Sequence, residues 1–246
     1  MTDANDVPQF QATPPPSPRG LRWLPLAVAA LVIVILLVVA VVTQQAPATS
    51  PASPPDTPPQ AAAPTSALPA ASIDQALADL ERAAQAAPDD PHAHFELGNA
   101  YIERQRFDQA VAAYQRALQL APDNVDALAN LGVAYYQMGR LAEAAAQFEA
   151  ALKREPQDAA LHYLLGAAHL QQGDLVGARQ EMEAARELDP NLPEVYFGLG
   201  MLDKLQGNRE GAIAHFEHFL EIGPGQDPRA KDEAERLLRE LKQSEE

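Results

Sequence analysis

Cysteine is absent from the 246 residues. Its absence excludes disulfides, thiol nucleophiles and cysteine-held metals, while leaving either side of a membrane open. Positive charge is scarce: 18 Lys and Arg stand against 34 Asp and Glu, for a formal net charge of −16. That balance argues against nucleic acid and against lying flat on anionic lipid. It favours a neutral or basic partner, although acidity also serves solubility alone. Also missing are a nucleophile elbow, a phosphate-cradling glycine loop and a pair of catalytic acids in a recognisable frame. The sequence therefore predicts no enzyme, no cofactor and no metal centre.

Charge of any kind is missing from one stretch. From Leu24 to Val42 every side chain is apolar. A helix rising about 1.5 Å per residue makes this run roughly 28 Å long, the thickness of a bilayer's hydrocarbon. Residues 23–42 are expected to be a transmembrane helix, with Trp23 at the interface and Pro25 near the start, where a missing N–H is harmless. Arg19 and Arg22 precede the run and the next basic residue is Arg82, so the N-terminus is expected to stay in the cytoplasm. A cleaved signal peptide is the competing reading, with Ala46-Pro47-Ala48 as its cleavage site. Residues 1–22, polar and Pro-rich, read as a disordered cytoplasmic tail. Residues 43–71 hold eight prolines among Ala, Ser, Thr and Gln. In polyproline geometry this linker reaches up to about 90 Å, so it reads as a tether.

Beyond the linker the chain repeats itself. Proline recurs every 34 residues at Pro88, Pro122, Pro156, Pro190 and Pro224, and alanine keeps step at Ala76, Ala110, Ala144, Ala178 and Ala212. Four full copies run 91–124, 125–158, 159–192 and 193–226. Each has Leu-Gly in a first helix (Gly98, Gly132, Gly166, Gly200) and, except where Asp203 stands, an aromatic or His three residues on. Next come a turn glycine and a small alanine, and a large apolar residue in a second helix (Tyr114, Phe148, Met182, Phe216). Glycine where two helices cross allows close approach, and the large residues, on one stripe, are expected to fill the space between units. Residues 72–90 match a second helix alone, a half-repeat cap. Residues 227–246 carry Ala230, Ala234, Leu237, Leu238 and Leu241 on an otherwise charged helix, a cap for the other end.

The 34-residue pattern of Leu-Gly, Gly, Ala, large apolar and Pro resembles the tetratricopeptide repeat, a helix-turn-helix unit. The resemblance covers residues 72–246 and implies an all-α fold, an α-solenoid of stacked helix-turn-helix repeats, here preceded by one transmembrane helix and a disordered Pro-rich linker. It further implies a membrane-anchored protein of the bacterial envelope type, a source that the Ala and Pro richness also suggests. Departures from the pattern are Gln105 at a turn glycine, Asp203 at the first-helix aromatic, Arg209 at an apolar position and Phe219 at a small alanine. Because the positions of Asp203 and Arg209 pack together in such repeats, the resemblance implies an ion pair between them.

In repeats of this kind the first helices line an inner groove that binds peptide or helical segments. The positions implied are Phe95, Asn99 and Ile102 in the first unit, and Asn130, Val133, Tyr136 and Gln137 in the second. Tyr163, Leu164, Ala167, Leu170 and Gln171 follow in the third, and Phe197, Met201, Lys204 and Leu205 in the fourth. Phe95, Tyr163 and Phe197 share one repeat position and are expected to form an aromatic ladder, unless the chain's own cap or linker covers it. A clamp for C-terminal carboxylates is incomplete: Asn99 and Asn130 match its asparagines, but Phe95, Ala160 and Leu164 stand where its basic residues belong. His215 and His218, with Glu217 and Glu221, have a spacing a metal could use, against the alternative of an ordinary solvated helix face. His162 and His169 read as core histidines.

The function expected is a membrane-tethered scaffold outside the cytoplasm, whose groove holds segments of envelope or secreted proteins and assists their assembly or maturation. The expected partners are a protein or peptide and, through the transmembrane helix, the lipid bilayer, with no nucleic acid and a possible homo-oligomer. The alternative is a self-associating organiser of a membrane complex that takes no peptide.

Overall fold

The computed structural model describes residues 70–223 and 228–243. The tail, the apolar run and the linker up to residue 69 lie outside the described residues. Among those described, no helix is long and apolar enough to cross a membrane.

Ten helices and no strand make up the described chain. Helix α1 is Ala70–Ala86. The four full repeats follow as antiparallel pairs: α2 (Pro91–Glu103) with α3 (Phe107–Leu120), α4 (Val125–Gln137) with α5 (Leu141–Leu152), α6 (Ala159–Gln172) with α7 (Leu175–Leu188), and α8 (Pro193–Leu205) with α9 (Arg209–Ile222). Helix α10, Pro228–Gln243, closes the array. Each helix packs chiefly on its neighbours in sequence, the arrangement of a solenoid.

Local chemistry fixes where these helices begin. Asp90, Asn124 and Asp158 cap α2, α4 and α6 with side-chain bonds to backbone N–H groups, and Asp174 and Asn208 do the same for α7 and α9. After each first helix the chain reverses through a left-handed residue, Gly139 (φ 73°), Gly173 (φ 82°) or Gly207 (φ 75°). In the first unit that residue is Gln105, at φ 57°, the only non-glycine with positive φ among the described residues. Where a helix pair ends, the side chain four places into the next unit bonds back to the turn proline's carbonyl. His94 reaches Pro88 (3.0 Å), His162 reaches Pro156 (3.1 Å) and Tyr196 reaches Pro190 (2.9 Å).

The core answers the glycine spacing. A Cβ on Gly98 would stand 2.5 Å from the Tyr114 ring, on Gly132 2.6 Å from Phe148, on Gly166 2.9 Å from Met182 and on Gly200 2.8 Å from Phe216. The large residue of each second helix thus sits on the glycine of its own unit, so it fills the crossing within a unit first. Met182 reaches the next unit too, where a Cβ on Gly198 would lie 2.8 Å from its thioether. Ala110, Ala144, Ala178 and Ala212 are fully buried beside these crossings. Hydrogen bonds between units repeat as well: Tyr101 donates to Glu81 (2.9 Å), and Gln115 donates to Tyr135 (2.9 Å) from the equivalent place one unit later.

The ends are sealed with apolar surface. Leu77 and Ala84 of α1 are buried in the first unit's core, and Ala230, Ala234, Leu237 and Leu238 of α10 are buried with Phe216 and Phe219. Phe219, large where the other units have alanine, has a helix cap to fill rather than a further repeat. Burying one such ring contributes about 1.5 to 3 kcal/mol, so the substitution strengthens the terminal interface.

Candidate functional site

The inner helices α2, α4, α6 and α8 differ in how much they leave free. On α2, Phe95, Asn99 and Ile102 are half-buried. On α4, Asn130, Val133 and Tyr136 are buried and Gln137 is half-buried. On α6, Tyr163, Leu164 and Ala167 are buried, with Leu170 and Gln171 half-buried. On α8, Phe197 and Met201 are buried, Lys204 is half-buried and Leu205 is 59% exposed.

The expected ladder of free aromatic rings is therefore not there. Phe95 leans on Tyr114 with ring centroids 6.0 Å apart, and Phe197 lies edge-on between Phe216 (5.6 Å) and Phe219 (5.4 Å). Tyr163 has its ring against α8, 3.7 Å from where a Cβ on Gly198 would stand. At this repeat position the ring packs against neighbouring helices, and each contact adds to the burial that holds the solenoid.

Polar groups on the inner face fall into two sets. At the N-terminal end they satisfy one another: Asn99 Oδ1 accepts from Tyr114 Oη (2.7 Å) and from Asn130 Nδ2 (2.9 Å). This triad ties α2, α3 and α4 together, and burial holds the Tyr114 hydroxyl far above its ordinary pKa. The two asparagines that matched a carboxylate clamp are thus occupied in joining two repeats.

Toward the C-terminal end, polar atoms are buried with no hydrogen-bond partner: Tyr136 Oη, Gln137 Nε2, Tyr163 Oη, Gln171 Nε2 and Glu194 Oε2. All but Gln137 act on one another. The Gln171 amide acts on the Tyr136 hydroxyl without closing a bond of ordinary geometry, and Tyr163 feels the charge of Glu194 and the presence of Tyr136. Burial raises both tyrosine hydroxyls well above their usual range. Burial also raises the Glu194 carboxyl; its own backbone N–H offsets part of this, and the charge of Asp189 adds to the rise. Leaving such groups unpaired costs about 1 to 3 kcal/mol each, more for a charge, so a cluster of them needs a reason.

Glu194 was not among the residues the sequence pointed to. Its signal was an acid in the first turn of α8, one repeat on from Ala160, at a position on the inner side of the unit.

The histidines and the odd residues of the fourth unit belong to a different network. Asp203, 1% exposed, accepts from Arg179 Nη2 (2.6 Å) and Asn208 Nδ2 (3.1 Å) and lies 2.7 Å from His215 Nδ1. Burial pushes its carboxyl up, but these three partners outweigh it and hold the pKa below the ordinary value. The expected pair with Arg209 does not form. Arg209 instead donates to the carbonyls of Leu241 (2.5 Å) and Lys242 (3.3 Å), fastening the end of α10. Arg179, from the preceding unit, reaches Asp203 because it stands where the other units have Val111, Ala145 and Ile213. His218 packs edge-on against Tyr196 at 4.4 Å, and His162 bonds Glu181 (2.7 Å) as well as Pro156. Among the described residues no group of three or more His, Asp or Glu side chains could hold a metal ion.

Comparison with known proteins agrees with this geometry. A model described as "TPR repeat" matches residues 98–139, and two described as "Tetratricopeptide repeat" match 129–193 and 70–117, together spanning about half the chain. No curated protein is similar enough to count as a relative. Among solved structures, MamA from residue 41 to its end, of Desulfovibrio magneticus RS-1, is 26% identical with a TM-score of 0.58, over 63% of this chain and 88% of that one. A thermophilic TPR protein of Thermus thermophilus is 23% identical with a TM-score of 0.57, over 68% and 90%. YrrB, described as a TPR protein with an unusual peptide-binding site, is 23% identical with a TM-score of 0.53, over 68% and 83%. The last two likenesses concern the fold alone.

Proposed function

The chain belongs to the tetratricopeptide repeat family, and we propose that it is a membrane-tethered scaffold whose inner face binds peptide segments of other proteins. The observation that carries this reading is the row of first helices α2, α4, α6 and α8, along which Phe95, Ile102, Leu170, Gln171 and Lys204 stay partly open and Leu205 is 59% exposed. A peptide laid along the inner face covers that apolar surface and meets the polar ends beside it. The binding of a peptide to YrrB is a property of that protein; here it adds only that the fold accommodates one.

The tether is the apolar run 24–42, and the Pro-rich segment after it is the spacer that lifts the array from the bilayer. Arg19 and Arg22 before the run favour an N-terminus in the cytoplasm and repeats on the far side. There the scaffold holds segments of envelope or secreted proteins while they assemble or mature.

In-cell crosslinking tests this reading. A photoreactive residue at Leu170, half-buried on the inner face, should capture one discrete extracytoplasmic protein. The same residue at Val176, 79% exposed at the start of a second helix, should not. Adducts between copies of this chain alone would make it the self-associating organiser instead. Adducts with cytoplasmic proteins would overturn the orientation.

A further inference from the structure

Helix α1 is the second helix of a unit that has no first. Its Ala76, Leu80 and Ala83 stand where the full units have Ala110, Tyr114 and Ala117 through to Ala212, Phe216 and Phe219. In all four full units these places are at most 2% exposed, with the glycine of the unit's own first helix against the large residue. In α1 Ala76 and Ala83 are exposed and Leu80 is half-buried. The face that joins helix pairs along the whole array therefore continues onto α1 and ends uncovered among the described residues.

The chain does not complete this unit with a helix. Residues 57–69 fall in the register of the missing first helix, but Pro58, Pro59, Pro64 and Pro69 are among them, Pro64 at the place of the crossing glycine. Proline inside a helix removes a hydrogen bond and clashes with the preceding turn. Polyproline geometry suits the same residues, since it has three residues per turn and needs no backbone partners. On that period Pro55, Pro58, Ala61 and Pro64 share one face, all apolar, while Asp56, Thr57, Gln60, Thr65 and Ser66 fall on the other two.

We infer that residues 55–64 fold back along α1 as a polyproline arm and cover Ala76, Leu80 and Ala83, with residues 65–69 making the reversal. The lengths agree: nine steps of about 3.1 Å give an arm of about 28 Å, against about 25 Å for the 17 residues of α1. The register agrees as well. One polyproline turn, from Ala61 back to Pro58, advances about 9 Å, and the helix from Ala76 to Ala83 advances about 10 Å. Ala61 then lies on Ala76 and Pro58 on Ala83, with Leu80 entering between them. Because the segment joins α1 directly, it meets this face at a high effective concentration. From a second copy, α10 is a first helix without a second, but its outward side carries Lys231, Asp232, Arg236 and Arg239, where α1 requires apolar surface. The docked arm also shortens the tether, leaving residues 43–54 as a spacer of about 37 Å at most.

Disulfide trapping in the full-length protein in nanodiscs tests the inference, and the cysteine-free chain makes every bond assignable. Ala61→Cys with Ala76→Cys should close a bond within one chain under mild oxidation, and so should Pro58→Cys with Ala83→Cys. Gln60→Cys with Ala76→Cys, turned off the apolar face, should close at least tenfold more slowly. Pro55→Asp with Pro64→Asp, both outside the array, should slow the two matched pairs several-fold. Equal rates for the Ala61 and Gln60 cysteines would overturn the inference, because a segment that only passes α1 has no preferred face. Bonds that form solely between chains would overturn it in favour of a second copy. Bonds from Ala76→Cys solely to another protein, in membranes taken from cells, would give the face to a partner's helix.

Discussion

Helix α8 carries two carboxylates nine residues apart, Asp203 buried and Glu194 half-buried, and they are treated in opposite ways. Asp203, near its end, is held by Arg179, His215 and Asn208, and its pKa lies below the ordinary value. Glu194, in its first turn, has an oxygen with no partner, and its pKa lies above. The first is a charge the fold uses to join the third and fourth repeats. The second is met by its own backbone N–H but by no cation among the described residues. The same division appears among the neutral groups of the inner face, where Asn99, Asn130 and Tyr114 close on one another while Tyr136, Tyr163 and Gln171 do not. Satisfied polar groups at one place and unsatisfied ones at another, on the same set of helices, separate where polar side chains stabilise the array from where they weaken it.

The sharpest way to break this comparison is to remove its structural half. Asp203→Leu strands Arg179 and His215 and should cost about 3 kcal/mol in thermal or urea unfolding. Adding Arg179→Leu should return most of that loss. The sign with pH follows from the lowered pKa. Asp203's stabilising contribution is full above its unfolded value near pH 4 and is lost as pH falls through the folded value, so wild type and Asp203→Leu should converge in acid.

Asn99→Leu removes the one acceptor shared by Tyr114 and Asn130 and should cost about 2 kcal/mol, with hydrogen exchange rising in both α2 and α4. Changing Tyr114 to Phe and Asn130 to Leu in the same chain should recover much of it, because no buried polar group is then left alone.

Glu194→Gln sharpens the other half and should act in the opposite direction, raising stability at neutral pH by about 1 kcal/mol. Since the folded pKa is raised, wild type should gain on the variant as pH falls from neutral toward about 4, where the carboxyl takes up its proton in the folded state first. Melting curves of the two proteins across that range check it.

The smallest effect lies away from both carboxylates. Gln105 turns the first unit in a left-handed conformation that glycine provides in the other three, so Gln105→Gly should stabilise by about 0.5 to 1 kcal/mol in the same melts.

Much of this fold was written in the sequence because repeats copy local rules. The 34-residue step, the helix caps at Asp90, Asn124 and Asp158, the turn glycines and the apolar stripes of α1 and α10 each act through neighbours a few residues away. What the sequence did not reveal depends on contacts between units. Asp203 and Arg209 sit at positions that usually meet, yet Asp203 turned to Arg179, 24 residues earlier, because that position is basic in one unit and apolar in the rest. The aromatic ladder failed for the same reason: Phe95 and Phe197 were recognisable as inner positions, but the rings of Tyr114, Phe216 and Phe219 that take them up come from second helices. Burial without a partner, which marks Tyr136, Tyr163 and Glu194, is a property of the assembled face and has no spacing to betray it.

The most direct measurement follows the carboxyl itself. Isotope-edited infrared or carbon NMR titration of Glu194, with burial and the charge of Asp189 as the causes that act on it, reads its protonation in the folded protein. The account predicts a pKa above the ordinary glutamate range in the folded protein, in contrast to a lowered one at Asp203. An ordinary or lowered value at Glu194 would contradict it.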